Sequence, residues 1–343
     1  MTKSVPFIQI EDDSPTTSVQ DGGRFGAQRF GLAPAGAMDR FSLAAANALV
    51  GGAAGAAALE IGLLPLRLTA HGGAVRAALY GAERSVLVGD KPITLRRSFR
   101  LAEGETLHVK VARGNIFTYL AIEGGIVGTP VFGSLSVHLR AALGAPYPRP
   151  LRALDRIGIG RAAASATERR LPLPRAETGP IRVVLGPQDD YFDAATIARF
   201  LETEWRVSGK SDRMGYRLDG PTLTHSRGAN IVSDGIAFGA IQIPGSGQPL
   251  VLLADRGTTG GYPKIAVIIG ADLGRFVQTP AGGRIRFAAV SIEAAQDAAQ
   301  DFAAAMERLP ESLETIPVDT LSSESLLAAN LAGSAINAHD AET

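Results

Sequence analysis

Short apolar segments, each bounded by glycine, proline or aspartate, recur along most of this chain. Between 57 and 125 the segments ALEI, PLRLTA, AVRAALYG, RSVLVG and FTYLAIEGG follow one another. Segments this short, with such boundaries, are typical of buried strands rather than helices. The 40 glycines and 20 prolines of the chain fit the many turns that these strands require. The sequence therefore predicts a mainly β fold with a few short helices, built as a barrel or a sandwich.

Three stretches show helical spacing instead. Residues 41–50 follow Asp39 and stop at two glycines, and Asp is a preferred residue at a helix N-cap. The other two stretches are 193–203 and 291–309, and the second begins at Ser291. We expect helices at these three places, and capping is the structural alternative to any chemical role for Asp39.

A segment rich in Pro, Arg and Ala divides the chain near its middle. We predict an N-terminal half at 1–145, a linker at 146–180, a C-terminal half at 181–310 and a tail at 311–343. The tail is rich in Ser, Glu and Ala, and we expect an amphipathic turn around Leu326–Leu331. GAMDRFSL (36–43) and GKSDRMGYRL (209–218) share Gly-x-x-Asp-Arg, a short echo between the halves.

The composition excludes several classes of function. Lys plus Arg and Asp plus Glu both number 34, and no basic stripe indicates a nucleic-acid partner. The absence of Cys excludes disulfides and thiolate chemistry, which is compatible with the cytoplasm. The five His residues are scattered, so we predict no metal site. We find no secretory signal and no apolar run long enough to span a membrane.

The stretch from Val232 to Arg275 concentrates the polar groups that a site would use. Two strand-like segments flank a predicted hairpin connection at Gly245–Gly247. The second segment ends in Asp255 and Arg256, and the glycine- and threonine-rich loop 257–261 follows. Loops held at a strand end by a rigid sheet are common places for sites, although Thr and Gly are equally common in plain turns.

Five motifs resemble one known family. They are SVQDGGRFGAQRFGLAPAGAMDRFSLAAAN, YLAIEGGIVGTPVFGS, LGPQDDYF, VSGKSDRMGYRLDG and GAIQIPGSGQPLVLLADRGTTGGYPKIA. In order and with few gaps, from about Thr17 to Phe287, the chain resembles the biotin-dependent carboxyltransferase family of allophanate hydrolase subunit 2-like proteins. Members include the C subunit of 5-oxoprolinase and the carboxyltransferase part of urea carboxylase. One residue departs from the pattern, since Gly257 stands where we expect Gln.

The resemblance implies a fold and partners. The fold is two cyclophilin-like β-barrel halves. The partner is a B subunit, allophanate hydrolase subunit 1-like, and in the 5-oxoprolinase system an A subunit is also needed. That hetero-oligomer opens 5-oxoproline to glutamate with ATP, whose site would not lie on this chain alone. In the urea carboxylase arrangement, the substrate is a urea-like amide and the donor is carboxybiotin carried by another chain.

With the family in view, we expect the site where four segments converge: 21–24, 38–39, 211–215 and 258–262. Amide chemistry needs N–H donors at a developing oxyanion, which Arg213 and Arg24 can supply. It also needs an acid or base, for which Asp212 and Asp39 are candidates. The predicted catalytic residues are Asp212, Arg213 and Asp39. The predicted substrate-binding residues are Gln20, Asp21, Arg24, Met38, Ser211, Met214, Gln242, Thr258, Thr259, Gly260 and Tyr262.

The favoured function is that of the C subunit of an ATP-dependent 5-oxoprolinase, a lactam hydrolase. A carboxyltransferase component acting on a urea- or guanidine-like substrate is the alternative enzyme. A non-catalytic regulatory partner of the B subunit is the alternative from another class. Co-purification of a biotinylated partner distinguishes the two enzymes. An Asp212→Ala protein that still supports the activity of the complex favours the regulatory class.

Overall fold

The computed structural model describes residues 5–161, 167–172 and 178–316. Its architecture is mainly β with a few short helices, and this confirms the predicted fold class. The strands fall into sheets of six, seven, eight and two members. None of the helices in these ranges is long and apolar enough to cross a bilayer.

The strands before residue 171 build two sheets. They are β1 (Phe7–Ile10), β2 (Thr17–Gln20), β3 (Ala58–Ile61), β4 (Leu66–His71), β5 (Val75–Glu83), β6 (Val86–Val88), β7 (Lys91–Ile93), β8 (Arg97–Leu101), β9 (Thr106–Val109), β10 (Arg113–Ile122), β11 (Arg156–Gly158) and β12 (Glu168–Arg170). One sheet has the order β11-β1-β4-β9-β6-β7, and the other contains β2-β3-β10-β5-β8-β12. Alternation fixes which side chains enter the core between them: in β4, Leu66 and Leu68 are buried while Arg67 is exposed.

Eleven strands follow residue 180, and eight of them build the third sheet. The eleven are β13 (Ile181–Leu185), β14 (Trp205–Val207), β15 (Gly215–Asp219), β16 (Asp234–Gly235), β17 (Ala240–Gln242), β18 (Leu250–Leu252), β19 (Thr259–Gly260), β20 (Lys264–Ile268), β21 (Arg284–Ile285), β22 (Phe287–Ala289) and β23 (Glu314–Ile316). The sheet order is β21-β14-β15-β18-β17-β20-β13-β22. The predicted hairpin is confirmed, since β17 and β18 pair antiparallel on either side of Gly245–Gly247. Strands β16 and β19 form a small separate ladder.

The three predicted helices are confirmed, and their first residues follow side-chain caps. They are α1 (Arg40–Leu49), capped by Asp39, α2 (Ala194–Glu202), capped by Asp193, and α4 (Ile292–Glu307), capped by Ser291. A further helix, α3 (Leu273–Val277), was not predicted from the sequence because it is little more than one turn. Short 3₁₀ turns lie at Gln28–Phe30, Leu139–Ala141, Asp189–Tyr191, Gly270–Asp272 and Leu309–Ser312.

One apolar core joins the two parts of the chain. Helix α1 contributes Leu43, Leu49 and four buried alanines, whose small side chains let it lie close to its neighbours. The same cluster takes Tyr119 from β10 and Trp205 from β14. We call the boundary between the two parts, where α1 and Tyr119 pack with Trp205 in this cluster, the seam.

The segment predicted as a linker contributes structure to the N-terminal sheets. Strand β11 pairs with β1, and β12 pairs with β8 and with β23 from the start of the tail. The division into two halves, a linker and a tail stays a prediction. The amphipathic turn expected around Leu326–Leu331 lies outside the described residues.

Candidate functional site

Arg213 lies at the centre of a charged network in the seam. Its turn connects β14 to β15, and its side chain is 16% exposed. Nε and Nη2 donate to the two carboxylate oxygens of Asp255 at 3.2 and 3.1 Å, Nη2 also donates to Gly36 O at 2.7 Å, and Nη1 donates to Glu60. Glu60 and Asp255 are only 3% and 4% exposed. One guanidinium thus forms ion pairs with two buried carboxylates from opposite sides of the seam.

Tyr119 extends the network to the start of α1. Its hydroxyl donates to Glu60 Oε2 at 2.6 Å and accepts from Asp39 N at 2.8 Å, while Met38 N donates to the same Oε2 at 2.8 Å. Burial and the negative charge of Glu60 raise the pKa of Tyr119 well above its ordinary value. The phenol therefore stays protonated and acts as a donor.

Arg213 retains its charge despite its surroundings. Burial opposes the charged form, but the carboxylates of Asp255 and Glu60 outweigh this and raise the pKa of Arg213. A guanidinium has five N–H groups, and the contacts above use four of them. The remaining N–H on Nη1 has no acceptor among residues 5–161, 167–172 and 178–316. A fixed, charged donor of this kind is suited to a developing oxyanion.

Asp39 acts as a cap in this structure. Its carboxylate accepts from Ser42 N at 3.1 Å, from Ser42 Oγ at 2.6 Å and from Gln278 Nε2 at 2.9 Å. These contacts fit the capping alternative, and the catalytic role stays a prediction. The Met38 side chain is buried in the core, so its backbone N–H is the part that meets Glu60.

Gln278 connects α3 to the N-terminal part of the chain. Its Oε1 accepts from the N–H groups of Ile116 and Phe117, and Nε2 donates to Phe117 O and to Asp39, all at 2.9 to 3.0 Å. We expect Gln278→Met to lower the free energy of unfolding by about 3 kcal/mol, because it leaves several buried polar groups unpaired. The exposed Gln300 in α4 provides the matched control, and Gln300→Met is expected to change it by less than about 0.5 kcal/mol. Urea unfolding measures both, and equal effects would contradict the bridging role.

The predicted loop from Asp21 to Arg24 lies beside the same network. The Asp21 carboxylate accepts from Gly23 N, Ser134 Oγ and Leu135 N at 2.6 to 2.8 Å, so it fixes loop conformation. Arg24 is fully buried and donates to Ser136 O. Its Nε and Nη1, like Oε1 of buried Gln20, have no partner among the described residues. Burial lowers the pKa of Arg24, and the charges of Asp21 and Asp255 oppose that shift.

The adjacent residues Asp212 and Arg213 have opposite environments. Asp212 is exposed, and its Oδ1 accepts from Met214 N at 2.8 Å in an Asx turn. Ser211 Oγ accepts from Arg217 N at 3.1 Å across the same turn. Ser211, Asp212 and Met214 thus shape the turn that directs Arg213 into the seam. The catalytic role of Asp212 stays a prediction.

The fourth predicted segment forms a neighbouring group. Thr259 and Gly260 pair with β16, Thr258 O accepts from Ile236 N at 3.0 Å, and Tyr262 O accepts from buried Gln242 Nε2 at 3.4 Å. A Cβ at Gly260 would lie 2.6 Å from Gln242 Nε2, so the absence of a side chain here lets the Gln242 amide lie close to the loop. Three of the four predicted segments therefore meet around Arg213, while the fourth is joined to it through the chain at Asp255 and Arg256.

Sequence reasoning missed several residues of these two groups. Glu60, Tyr119 and Gln278 were not selected, and neither was Lys264, which is buried and pairs with Asp234 at 3.1 Å. That hydrogen bond lowers the pKa of Asp234. A lone acid inside an apolar strand, as in ALEI, is a signal that identifies Glu60, because buried carboxylates are rare without a partner. In the described ranges, no three His, Cys, Asp or Glu side chains cluster as metal ligands would.

Comparison with known proteins identifies the family. A family model described as carboxyltransferase domain, subdomain A and B, matches residues 30–289. The chain belongs to this carboxyltransferase family. It is 38% identical over 287 residues to the C subunit of 5-oxoprolinase from Escherichia coli, covering 83% of this chain and 92% of that protein. It is 35% identical over 290 residues to the protein of the same name from Haemophilus influenzae, with 84% and 93% covered.

The family also includes parts of much longer enzymes. A crystal structure of the urea amidolyase of Kluyveromyces lactis superposes with a TM-score of 0.82 at 27% identity. The match covers 89% of this chain and 20% of that one, so the chain spans a fifth of the amidolyase. This carboxyltransferase family member is thus related to subunits and domains of multi-component enzymes.

Proposed function

We propose that this protein is the C subunit of an ATP-dependent 5-oxoprolinase, which hydrolyses 5-oxoproline to glutamate together with A and B subunits in the cytoplasm. One observation carries the proposal. The similarity to proteins named as the C subunit of 5-oxoprolinase extends over 92 and 93% of their length. The urea amidolyase of Lachancea kluyveri, in contrast, is 27% identical, and the match covers 18% of it.

The seam supplies groups that suit the opening of a lactam. Attack on the lactam carbonyl places negative charge on its oxygen, and the unused N–H of Arg213 is a charged donor held rigidly by two carboxylates. In the proposal, the loops around Arg24, Met38 and Thr258–Tyr262 hold the substrate. Asp39 and Asp212 remain the candidate acid and base. The ATP site lies on the complex rather than on this chain alone.

The test is reconstitution of the complex from this protein and the A and B subunits. We expect ATP-dependent release of glutamate from 5-oxoproline, and loss of that release when this chain is left out. Size-exclusion chromatography of the same mixture should show this chain bound to the B subunit. A stable, folded complex without turnover would refute the proposed function.

A carboxyltransferase role is the second candidate. It is supported by the description of the family model and by the superposition on urea amidolyase. In that role, carboxybiotin on another chain would supply the carboxyl group for a urea-like amide. Transfer of labelled carboxyl from a biotinylated partner to urea, dependent on this chain, would favour this candidate over the first.

A further inference from the structure

Two arginines at the seam, Arg256 and Arg40, form no ion pair with a carboxylate of the described residues. Arg256 follows Asp255 and is 6% exposed; Nε donates to Ile236 O at 3.0 Å and Nη1 to Leu253 O at 3.2 Å. Its Nη2 has no acceptor among the described residues. Arg40 begins α1 and is exposed, and its guanidinium lies 5.6 Å from the ring centroid of Phe25. No carboxylate of the described ranges forms an ion pair with either.

The two side chains come from opposite sides of the seam, and the start of helix α3 lies against the chain neighbours of both. A Cβ at Gly274 would lie 2.9 Å from Oδ1 of Asp39, which precedes Arg40. A Cβ at Gly239, which follows Phe238, would lie 2.9 Å from the Leu273 side chain. The Phe238 ring lies 5.8 Å from the guanidinium of Arg256. Burial, and then the charge of Arg40, lower the pKa of Arg256 to about 10, so both are cations at neutral pH.

Arg84 is another buried arginine, and each of its guanidinium nitrogens has an acceptor. Arg84 has no acid either, but Nε, Nη1 and Nη2 donate to Thr118 Oγ1 and to five backbone carbonyls. Arg213 forms ion pairs with two carboxylates. Arg256 uses two of its five N–H donors, and burial and then the charge of Arg40 disfavour its charged form, so a bound anion would stabilise this cation. The difference indicates a group built to receive a ligand rather than to support the fold.

We propose that Arg40 and Arg256 bind the carboxylate of a small acid, with the rings of Phe25 and Phe238 at its sides. A guanidinium fork matches a carboxylate, and flanking rings suit an apolar ring attached to it. Asp255 connects this site to Arg213, so a carboxylate held here places the rest of a small substrate beside Arg213. The acid is 5-oxoproline, an identification that rests on the proposed function.

The experiment compares variants in the reconstituted complex. Arg40→Met is expected to raise the KM for 5-oxoproline at least about tenfold with kcat within about threefold, because it removes binding shared by ground and transition states. Arg256→Lys tests the second partner, and it keeps the charge but loses the fork. The exposed Arg199 of α2 is the matched control, and Arg199→Met should leave both constants unchanged.

A binding measurement distinguishes the failure of this inference from the failure of the proposed function. Calorimetry of the complex is performed with 5-oxoproline and with 2-pyrrolidinone, the same ring without the carboxylate. We expect Arg40→Met to weaken only the binding of 5-oxoproline. Turnover by the wild type with an unchanged KM in Arg40→Met and Arg256→Lys would overturn the carboxylate site alone. If 5-oxoproline binds to the complex and this binding requires Arg40, but no turnover occurs, the carboxylate site is supported and the proposed function is refuted. If neither binding nor turnover occurs, the carboxylate site and the proposed function are both overturned.

Discussion

Replacing Arg213 with Met is expected to lower the free energy of unfolding by about 3–5 kcal/mol, because Glu60 and Asp255 then remain buried without a counter-charge. The substitution keeps most of the side-chain volume, so the lost packing is small. Urea unfolding followed by circular dichroism measures the effect. The same change should abolish any activity that uses the remaining N–H of this guanidinium.

An exposed ion pair provides the control for this effect. Arg227 and Asp190 form a pair in which the side chains are 62% and 53% exposed, so Arg227→Met is expected to cost less than about 1 kcal/mol. A second test uses Glu60→Gln in the Arg213→Met background. Removing one uncompensated charge should recover at least about 1 kcal/mol of stability. A loss in Arg213→Met no larger than in the control would show that the network is not an essential support of the seam.

Local signals explain what the sequence could predict. The strands and the three helix starts depend on spacing and on capping side chains within a few residues, so Asp39, Asp193 and Ser291 indicate their helices directly. Helix α3 has neither a side-chain cap nor enough length for a periodic pattern. The strands inside the predicted linker also lack a local signal, because three-residue strands such as β11 and β12 owe their pairing to neighbours distant in sequence.

The sequence predicts the turns that carry the site residues, but not the contacts that these residues make with distant parts of the chain. Asp212 and Arg213 are adjacent, and residue type alone does not say which points inward. The turn decides it, because the Asp212 carboxylate is satisfied by the backbone of its own turn, whereas Arg213 finds its acids elsewhere. Glu60 is 153 residues away from Arg213 along the chain, and no spacing rule connects them. Tyr119 is hidden for the same reason, since in FTYLAI it resembles an ordinary core residue.

The two Asp-Arg pairs of the internal echo have different roles in the structure. Arg213 of the second pair donates to Gly36 O, just before the first pair, so the two loops meet at the seam. Arg40 of the first pair forms no ion pair with the described residues, and its guanidinium lies 5.6 Å from the ring centroid of Phe25. The echo in sequence therefore marks one place in the fold, but it does not give two equivalent sites.

Gly36→Ala is expected to cost about 3 kcal/mol or more of stability and to lower the turnover of the complex by about 100-fold. Gly36 has a φ of +85°, which disfavours any side chain. A Cβ there would lie 2.9 Å from Gly23 Cα, 3.0 Å from Gly23 N and 3.1 Å from Asp21 O. These are backbone atoms, so the loop 21–24 must move away, and the carbonyl that receives Arg213 must move with it.

Gly31 provides the control that separates the effect of the steric contact at Gly36 from the effect of its positive φ. It belongs to the same GLAPAG segment and has a φ of +78°, but a Cβ at this position would meet nothing within 4 Å. Gly31→Ala is therefore expected to cost only the conformational penalty, about 1 kcal/mol, with turnover within about twofold of the wild type. Thermal unfolding and glutamate release from the reconstituted complex measure both variants. If Gly36→Ala and Gly31→Ala have the same stability and the same turnover, the close approach of the two loops does not determine the position of Arg213. If Gly36→Ala loses turnover while remaining folded, the geometry of the seam is a requirement of the reaction.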